Sequence, residues 1–159
     1  MGTEYEKCMS GKPFIGSKDP QITEMILRTR RLLMQFNATD YADTKRKQEL
    51  LREIFGSMGK GVHVDIDFHC EYGKHIFVGD KVIINIVDNN RIDIGNKVLI
   101  APNVQIYTAT HSIKINERMV HEWSESEEIC RTYALPVKIE DGVWIGGGSI
   151  ILPGVIIGQ

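Results

Sequence analysis

His111 has a side chain that can accept and donate a proton, and it stands where a regular sequence pattern ends. Residues 94–111 read IGNKVL-IAPNVQ-IYTATH, and a regular pattern that runs through this stretch stops at the histidine. Imidazole exchanges a proton near neutral pH, so it can serve as the general base for a weak nucleophile such as a hydroxyl group. A histidine at the start of a loop can equally have a purely structural role, and position alone does not separate the two interpretations.

Three further histidines, His63, His69 and His75, are spaced by six residues, which suggests a metal site. In a β-helix whose triangular coils have six residues on each side, however, residues six apart fall on successive faces, and their side chains point away from one another. Zinc requires ligands that converge to about 2.0–2.1 Å from one ion. The three cysteines are widely spaced and form no CxxC pair. We therefore predict no metal centre and no disulfide framework.

The pattern around His111 has a period of six residues. Ile94, Ile100 and Ile106 open successive hexads, and a small residue, Gly95 or Ala101, follows the first two. A strand repeats every two residues and a helix about every 3.6, so neither explains this period. A hexad is typical of a parallel β-helix, in which each hexad forms one short strand and a turn. The sequence thus predicts a mainly β solenoid.

The hexad frame has one break and one abrupt end. Val78 opens the hexad VGDKVI, but the next complete unit, residues 86–93, begins four residues too early even when a two-residue bulge is allowed. Either this coil is irregular or a short segment is absent from the chain. The frame resumes at Ile139 and stops within a hexad at Gln159. Because a solenoid needs a cap, we expect a truncated chain or an end covered by a partner.

The N-terminal part of the chain reads as helical. Asp19 is a good N-cap, Pro20 suits the first helical position, and the apolar periodicity continues to Asn37. A second helix is predicted from about Asp43 to Met58. We therefore predict a helical region with two helices at residues 1–61 and a β-helix at 62–159, with a polar excursion at about 112–135. A long excursion from a regular scaffold usually carries function.

The net charge of the chain and the length of its apolar segments argue against several classes of partner. The chain has 159 residues and a formal net charge of −2, so no global attraction to nucleic acid or to an anionic membrane is expected. No apolar run is long enough to span a bilayer. The polar N-terminus does not read as a signal peptide, and we expect a cytoplasmic location.

Several segments carry a family resemblance: GKPF, RTRRLLMQFNATD, LLREIFGSMG, FHCEYG, IGNKVLIAPNVQIYTATH and VWIGGGSIILPGVIIG. They are similar to segments of the maltose/galactoside O-acetyltransferases, within the hexapeptide-repeat acyltransferases. The resemblance implies a left-handed parallel β-helix and a homotrimer with active sites between adjacent subunits. It also implies acetyl transfer from acetyl-CoA, as a co-substrate rather than a permanently bound cofactor, to a sugar hydroxyl.

The resemblance assigns roles to individual residues. His111 matches the catalytic base of the family. Four polar residues match positions near the sugar acceptor: Asn85, Asp88, Asn89 and Glu71. Four residues of the later coils match the wall along the pantetheine arm of the donor: Trp144, Gly146, Gly147 and Ser149. For Trp144, packing within the scaffold is an equal alternative.

Two details depart from the family pattern. Gly16 stands near a position that is Asp in galactoside-acting members. Many relatives place a Glu shortly before Tyr133 that orients the histidine, but Thr132 stands there, with Glu127 and Glu128 a few residues earlier. The group that orients His111 is therefore left open.

Two rival functions deserve comparison with the acetyltransferase. The first is a non-catalytic trimeric scaffold of hexapeptide repeats, its active coil lost through the short coil and its donor site through truncation. The second is a zinc enzyme of the carbonic-anhydrase type on the same fold, which the diverging histidines disfavour. The sequence identifies no particular acceptor.

Overall fold

The computed structural model describes residues 2–65, 67–84, 90–120 and 129–158. The helices are α1 (Glu4–Met9), α2 (Pro20–Ala38), α3 (Thr44–Ile54) and α4 (Ile115–Arg118), with a 3₁₀ turn at Gly16–Lys18. The strands are β1 (Ser57–Met58), β2 (His63–Val64), β3 (Ile76–Val78), β4 (Ile83–Ile84), β5 (Ile92–Ile94), β6 (Leu99–Ile100), β7 (Gln105–Ile106), β8 (Ala109–Thr110), β9 (Tyr133–Ala134), β10 (Val137–Ile139), β11 (Trp144–Ile145), β12 (Ile150–Ile151) and β13 (Ile156–Ile157). Within these ranges, no helix is long and apolar enough to cross a membrane.

The first two helices begin at side-chain caps. At α1, Thr3 Oγ1 accepts from the backbone N–H of Glu6 (3.1 Å), and the Glu6 carboxylate accepts from the N–H of Thr3 (2.9 Å). Sequence analysis missed this helix, although the T-x-x-E spacing is a recognised capping-box signal. At α2, Asp19 Oδ1 accepts from the N–H of Gln21 (2.9 Å), which confirms the predicted start. The helix ends at Ala38, one residue beyond the prediction.

The predicted end of the second long helix is wrong. Helix α3 is capped by Asp43, whose Oδ1 accepts from the N–H of Arg46 (3.0 Å), but it ends at Ile54. Ser57 and Met58 instead form β1, which pairs in parallel with β3. Ser57 and Met58 thus form a strand through pairing with β3, although their local sequence pattern favours a helix. The stack of strands therefore begins before the expected boundary at residue 62.

The short strands stack into three parallel sheets that the chain visits in rotation. The first sheet has the order β1-β3-β5-β10-β13, the second β11-β6-β4-β2, and the third pairs β12 with β7. Within these three sheets, each strand pairs in parallel with a strand from the coil before or after it. This rotation is the arrangement that the six-residue period predicts, with strands two or three residues long. Among the described residues of 62–73, His63 and Val64 form strand β2, which pairs in parallel with β4 of the next coil.

Strand register locates the irregular coil. Lys138 pairs with Ile156, eighteen residues later, as expected for three hexads. Ile83 pairs with Leu99, only sixteen residues later, and β3 pairs with β5 at the same spacing. The coil between them is therefore two residues shorter than a regular coil, yet the first and second sheets remain paired across it.

The interior of the stack is filled by the residues that open the hexads. Seven of them are at most 5% exposed and belong to one continuous cluster: Val78, Ile84, Ile94, Ile100, Ile106, Ile139 and Ile145. The last two openers, Ile151 and Ile157, are partly buried and pack against this cluster. Burying one such side chain contributes about 1.5–3 kcal/mol. Helices α2 and α3 add Phe36, Leu50 and Ile54 to the same cluster, so they cover one end of the stack.

A polar ladder runs along one corner of the stack. Asp80 Oδ1 accepts from the N–H of Lys60 (2.7 Å), Asn96 Oδ1 from that of Asp80 (2.9 Å), and Asp141 Oδ1 from that of Asn96 (2.8 Å). Asn96 Nδ2 also donates to Asp141 Oδ2 (3.2 Å), and the two hydrogen bonds from Asn96, backbone first and then side chain, lower the pKa of Asp141. Each corner side chain therefore satisfies a backbone donor in the neighbouring coil.

Candidate active site

His111 lies at the end of a small hairpin that leaves the stack. Strand β8 pairs antiparallel with β9, with Ala109 opposite Ala134 and Thr110 opposite Tyr133. The pairing brings the residues after β8 beside the residues before β9. His111 Nδ1 accordingly lies 3.0 Å from the backbone carbonyl oxygen of Arg131.

This contact determines the tautomer of His111. A carbonyl oxygen can only accept, so the hydrogen must be on Nδ1 and the lone pair of the neutral ring on Nε2. His111 is an exposed residue. A fixed ring with an unprotonated Nε2 is the form that a general base requires.

Among the described residues, the group that contacts His111 Nδ1 is the backbone carbonyl of Arg131. Thr132 instead pairs with Phe14, donating its N–H to the Phe14 carbonyl (3.1 Å) and accepting in return (3.0 Å). Glu127 and Glu128 lie outside the described residues. Sequence analysis missed Arg131 because the orienting group is a backbone carbonyl, which any residue type supplies.

Arg131 is itself held by the loop that follows His111. Its Nη1 donates to the carbonyl oxygen of Met119 (2.7 Å), and its backbone N–H to that of Arg118 (2.6 Å). Arg118 Nη1 in turn donates to the carbonyl oxygen of Ser112, the residue after His111 (3.0 Å). The hydrogen bonds of Arg118 and Arg131 thus hold the segment that follows His111 close to the histidine.

An ionised carboxylate completes this loop. Glu117 accepts from Ser112 Oγ (2.7 Å) and from Lys114 Nζ (3.0 Å). These two hydrogen bonds, from Ser112 first and then Lys114, lower the pKa of Glu117. The charged form is therefore favoured, and its hydrogen bonds fix the first turn of the chain beyond the histidine.

The predicted donor residues lie one coil away from the coil that leads to His111. Strand β12 pairs with β7, and the N–H of Gln105 donates to the carbonyl oxygen of Ser149 (2.9 Å). Ser149 Oγ also donates to the carbonyl oxygen of Gly146 (2.7 Å). A Cβ on Gly146 would meet nothing within 4 Å, and one on Gly147 would come 3.2 Å from the Pro102 carbonyl oxygen. The backbone at Gly146 is therefore open to a ligand, whereas Gly147 lies against the backbone of the neighbouring coil.

Trp144 is 72% exposed, so packing inside its own subunit does not explain it. It lies on β11 opposite Leu99 of β6, and Leu99 lies opposite Ile83 of β4. Leu99 is 44% and Ile83 43% exposed. The three side chains form an apolar column on the outer face of the second sheet.

The predicted acceptor residues divide into two groups. Asn85, Asp88 and Asn89 lie outside the described residues. Glu71 is half-buried and precedes Tyr72, which packs in one buried cluster with Cys8, Phe14 and Ala134. Because Ala134 belongs to β9, this cluster lies against the hairpin that carries His111.

The three histidines spaced by six residues are placed in different surroundings. His63 is exposed on β2 and His69 is exposed in the following loop, whereas His75 is buried. His75 Nε2 lies 3.2 Å from the Tyr5 hydroxyl, and burial lowers the pKa of His75. Among the described residues, no group of three or more His, Cys, Asp or Glu could hold a metal ion.

Comparison with known proteins shows to which protein family this chain is similar. Residues 7–59 match the model described as the maltose acetyltransferase hexapeptide capping motif. The galactoside O-acetyltransferase of Escherichia coli (strain K12) is 31% identical over 158 residues, which cover 97% of this chain and 73% of that protein. A maltose O-acetyltransferase from Clostridium difficile 630 superposes with a TM-score of 0.84 at 36% identity, covering 98% of this chain and 80% of that one. A hexapeptide-repeat acetyltransferase of Vibrio cholerae O1 biovar eltor, solved with acetyl-coenzyme A, gives 0.82 at 37% identity, covering 99% and 81%.

The chain belongs to the maltose/galactoside O-acetyltransferase family. It is accordingly an acetyltransferase, as the resemblance predicted. The match to the capping motif also explains the N-terminal helices in physical terms. Residues 7–59 include α2, α3 and β1, and these elements cover the end of the stack where the first sheet begins. The helices thus cover apolar residues at this end of the stack that would otherwise be exposed.

Proposed function

We propose that this chain transfers an acetyl group from acetyl-CoA to a hydroxyl group of a sugar acceptor, with His111 as the general base. The observation that carries the proposal is the 3.0 Å contact between His111 Nδ1 and the Arg131 carbonyl oxygen, which leaves Nε2 free to accept a proton. Family membership supports acetyl-CoA as the co-substrate. The relative of Vibrio cholerae was solved with this compound.

The reaction follows from the chemistry of one imidazole. Nε2 of His111 removes the proton of the acceptor hydroxyl as its oxygen attacks the thioester carbonyl. The tetrahedral intermediate collapses, the C–S bond breaks, and Nε2 returns the proton to the leaving sulfur. General base catalysis of this kind contributes roughly 10²- to 10⁴-fold. Backbone N–H groups in the cleft stabilise the oxyanion.

The proposed enzyme is a homotrimer of left-handed parallel β-helices, with each active site between adjacent subunits. The apolar column of Ile83, Leu99 and Trp144 supports an interface, because a soluble protein rarely exposes aligned large apolar side chains without a partner. Acceptor contacts by Asn85, Asp88, Asn89 and Glu71, and donor contacts by Trp144, Gly146, Gly147 and Ser149, belong to this proposal. A cytoplasmic location also stays a prediction.

The direct test measures thiol release from acetyl-CoA with a panel of sugars. We expect acceptor-dependent release by the wild-type chain and its loss in His111→Ala. Lys45→Ala, which removes an exposed side chain from α3, is the control and should keep wild-type activity. No release with any sugar from a folded trimer would favour the scaffold alternative.

A further inference from the structure

Asn90 is a buried amide whose polar atoms are all engaged. The residue is 2% exposed, and its Nδ2 donates to the carbonyl oxygens of Cys8 (3.1 Å) and Ala134 (2.9 Å). Its Oδ1 accepts from the N–H of Arg91 (2.6 Å). Because both partners of Nδ2 are carbonyl oxygens, the orientation of the amide is determined by its contacts.

The partners of Asn90 belong to segments that surround the hairpin. Cys8 lies in α1, and Ala134 lies in β9, three residues after Arg131. The backbone N–H of Asn90 donates to Thr108 Oγ1 (2.8 Å), and Thr108 is the residue before β8. Leu135, which follows β9, donates its N–H to the carbonyl oxygen of Thr108 (2.8 Å). Asn90 therefore contacts both arms of the hairpin at the point where they leave the stack.

We propose that Asn90 is a positioning residue for His111. By joining Ala134 on one arm to Thr108 on the other, it holds the hairpin in the register that places the Arg131 carbonyl against His111 Nδ1. The inference rests on the proposed function only insofar as His111 is the base. Its structural content, that Asn90 determines the His111 tautomer, stands independently of the reaction.

Asn90→Asp tests this with an almost isosteric change. One of the oxygens of the new carboxylate would face the carbonyl oxygens of Cys8 and Ala134, where the amide supplied two N–H donors. Burial disfavours the charged form and raises the pKa of such a carboxyl. Once protonated, the carboxyl can again donate one hydrogen bond. The defect should therefore ease as the pH falls.

Asn37→Asp is the matched control. Asn37 Nδ2 donates to the carbonyl oxygen of Phe68 (3.0 Å) and its Oδ1 accepts from the N–H of Phe68 (3.2 Å), so it joins α2 to a loop far along the chain from the hairpin. The two substitutions remove the same kind of amide donor. Both should lower the melting temperature, but only Asn90→Asp should affect the histidine.

The expected result for Asn90→Asp is a loss in kcat of about 10²-fold, the size expected when a catalytic group is displaced by roughly 1 Å, with little change in the KM for acetyl-CoA. The ratio of its kcat to that of the wild type should rise as the pH falls. In ¹⁵N spectra of histidine-labelled protein, the wild type should show His111 protonated on Nδ1, and Asn90→Asp should show a mixture of tautomers. Asn37→Asp should match the wild type in kcat, pH profile and tautomer.

The inference is overturned if folded Asn90→Asp keeps both the wild-type kcat and the Nδ1–H tautomer, or if its kcat falls no more than that of Asn37→Asp. A changed tautomer in a protein without acetyltransferase activity would support the positioning role and contradict the proposed reaction. If Asn90→Asp does not fold, Thr108→Val removes the acceptor of the Asn90 N–H and should shift the tautomer in the same direction. An unchanged tautomer in that variant would equally overturn the inference.

Discussion

At the scale of single residues, the candidate base depends on a backbone carbonyl instead of a carboxylate. The Arg131 carbonyl fixes the His111 ring and its tautomer, but it brings no full charge to stabilise the imidazolium. The precision of the site therefore depends on how firmly one peptide group is held. The Arg131 side chain contributes directly, since its Nη1 donates to the carbonyl oxygen of Met119 at 2.7 Å.

We expect Arg131→Ala to lower kcat by about tenfold, or about 1.4 kcal/mol in the barrier, because the peptide that orients His111 loses this hydrogen bond. The KM values should change little, and the measurement is steady-state thiol release. Arg46→Ala is the control: this arginine on α3 contacts Gln35 (3.0 Å) and Glu49 (3.5 Å), away from the hairpin. An Arg131→Ala enzyme with wild-type kcat would show that the carbonyl is held without the guanidinium.

At the scale of elements, each coil turns through a residue in the left-handed backbone region. Six corners have φ between 56° and 80° three residues after the apolar residue that opens the hexad: Lys81, Lys97, Asn103, Gly142, Gly148 and Gly154. A non-glycine residue in this region costs about 1–2 kcal/mol. The later corners therefore use the residue that avoids the strain.

A comparison of Gly148 with Gly146 distinguishes the cost of backbone strain from the effect of side-chain packing. A Cβ at either position would meet nothing within 4 Å, but only Gly148 has a positive φ, of 75°. Gly148→Ala should lower the free energy of unfolding by about 1–2 kcal/mol through strain alone. Gly146→Ala should be neutral or raise it by about 0.4–1 kcal/mol, because alanine restricts the unfolded chain. Urea unfolding at one protein concentration measures both, and equal effects would contradict the strain argument.

The same elements show what sequence can and cannot predict. The hexad fixes which residues point inward, so the strands at Ile94, Ile100 and Ile106 were predictable from spacing. The end of α3 was not, because Ser57 and Met58 join a strand pairing that depends on residues twenty positions later. The orientation of His111 could not be predicted either, because a backbone carbonyl is supplied by every residue type and has no signal in the sequence. The sequence gives no sign that Asn90 differs from the neighbouring Asn89, and only the fold shows that Asn90 is buried.

At the scale of the whole molecule, the apolar column of Ile83, Leu99 and Trp144 tests the proposed assembly. Leu99 lies between the other two and is 44% exposed on the second sheet, whereas Leu27 on α2 is 43% exposed outside the column. Burying a charge in a subunit interface is strongly unfavourable, so Leu99→Glu should dissociate the trimer. Leu27→Glu places the same charge at equal exposure and should leave the trimer intact. Light scattering after size exclusion gives the mass of each variant.

The activity of the Leu99→Glu variant then connects assembly to catalysis. If each active site lies between adjacent subunits, the dissociated chain should lose acetyl transfer while its hairpin still holds His111 against the Arg131 carbonyl. The histidine tautomer would therefore remain that of the wild type, unlike in Asn90→Asp. A monomer with full activity would place the complete site within one chain. A Leu99→Glu trimer would show that the contact between subunits uses another face of the stack.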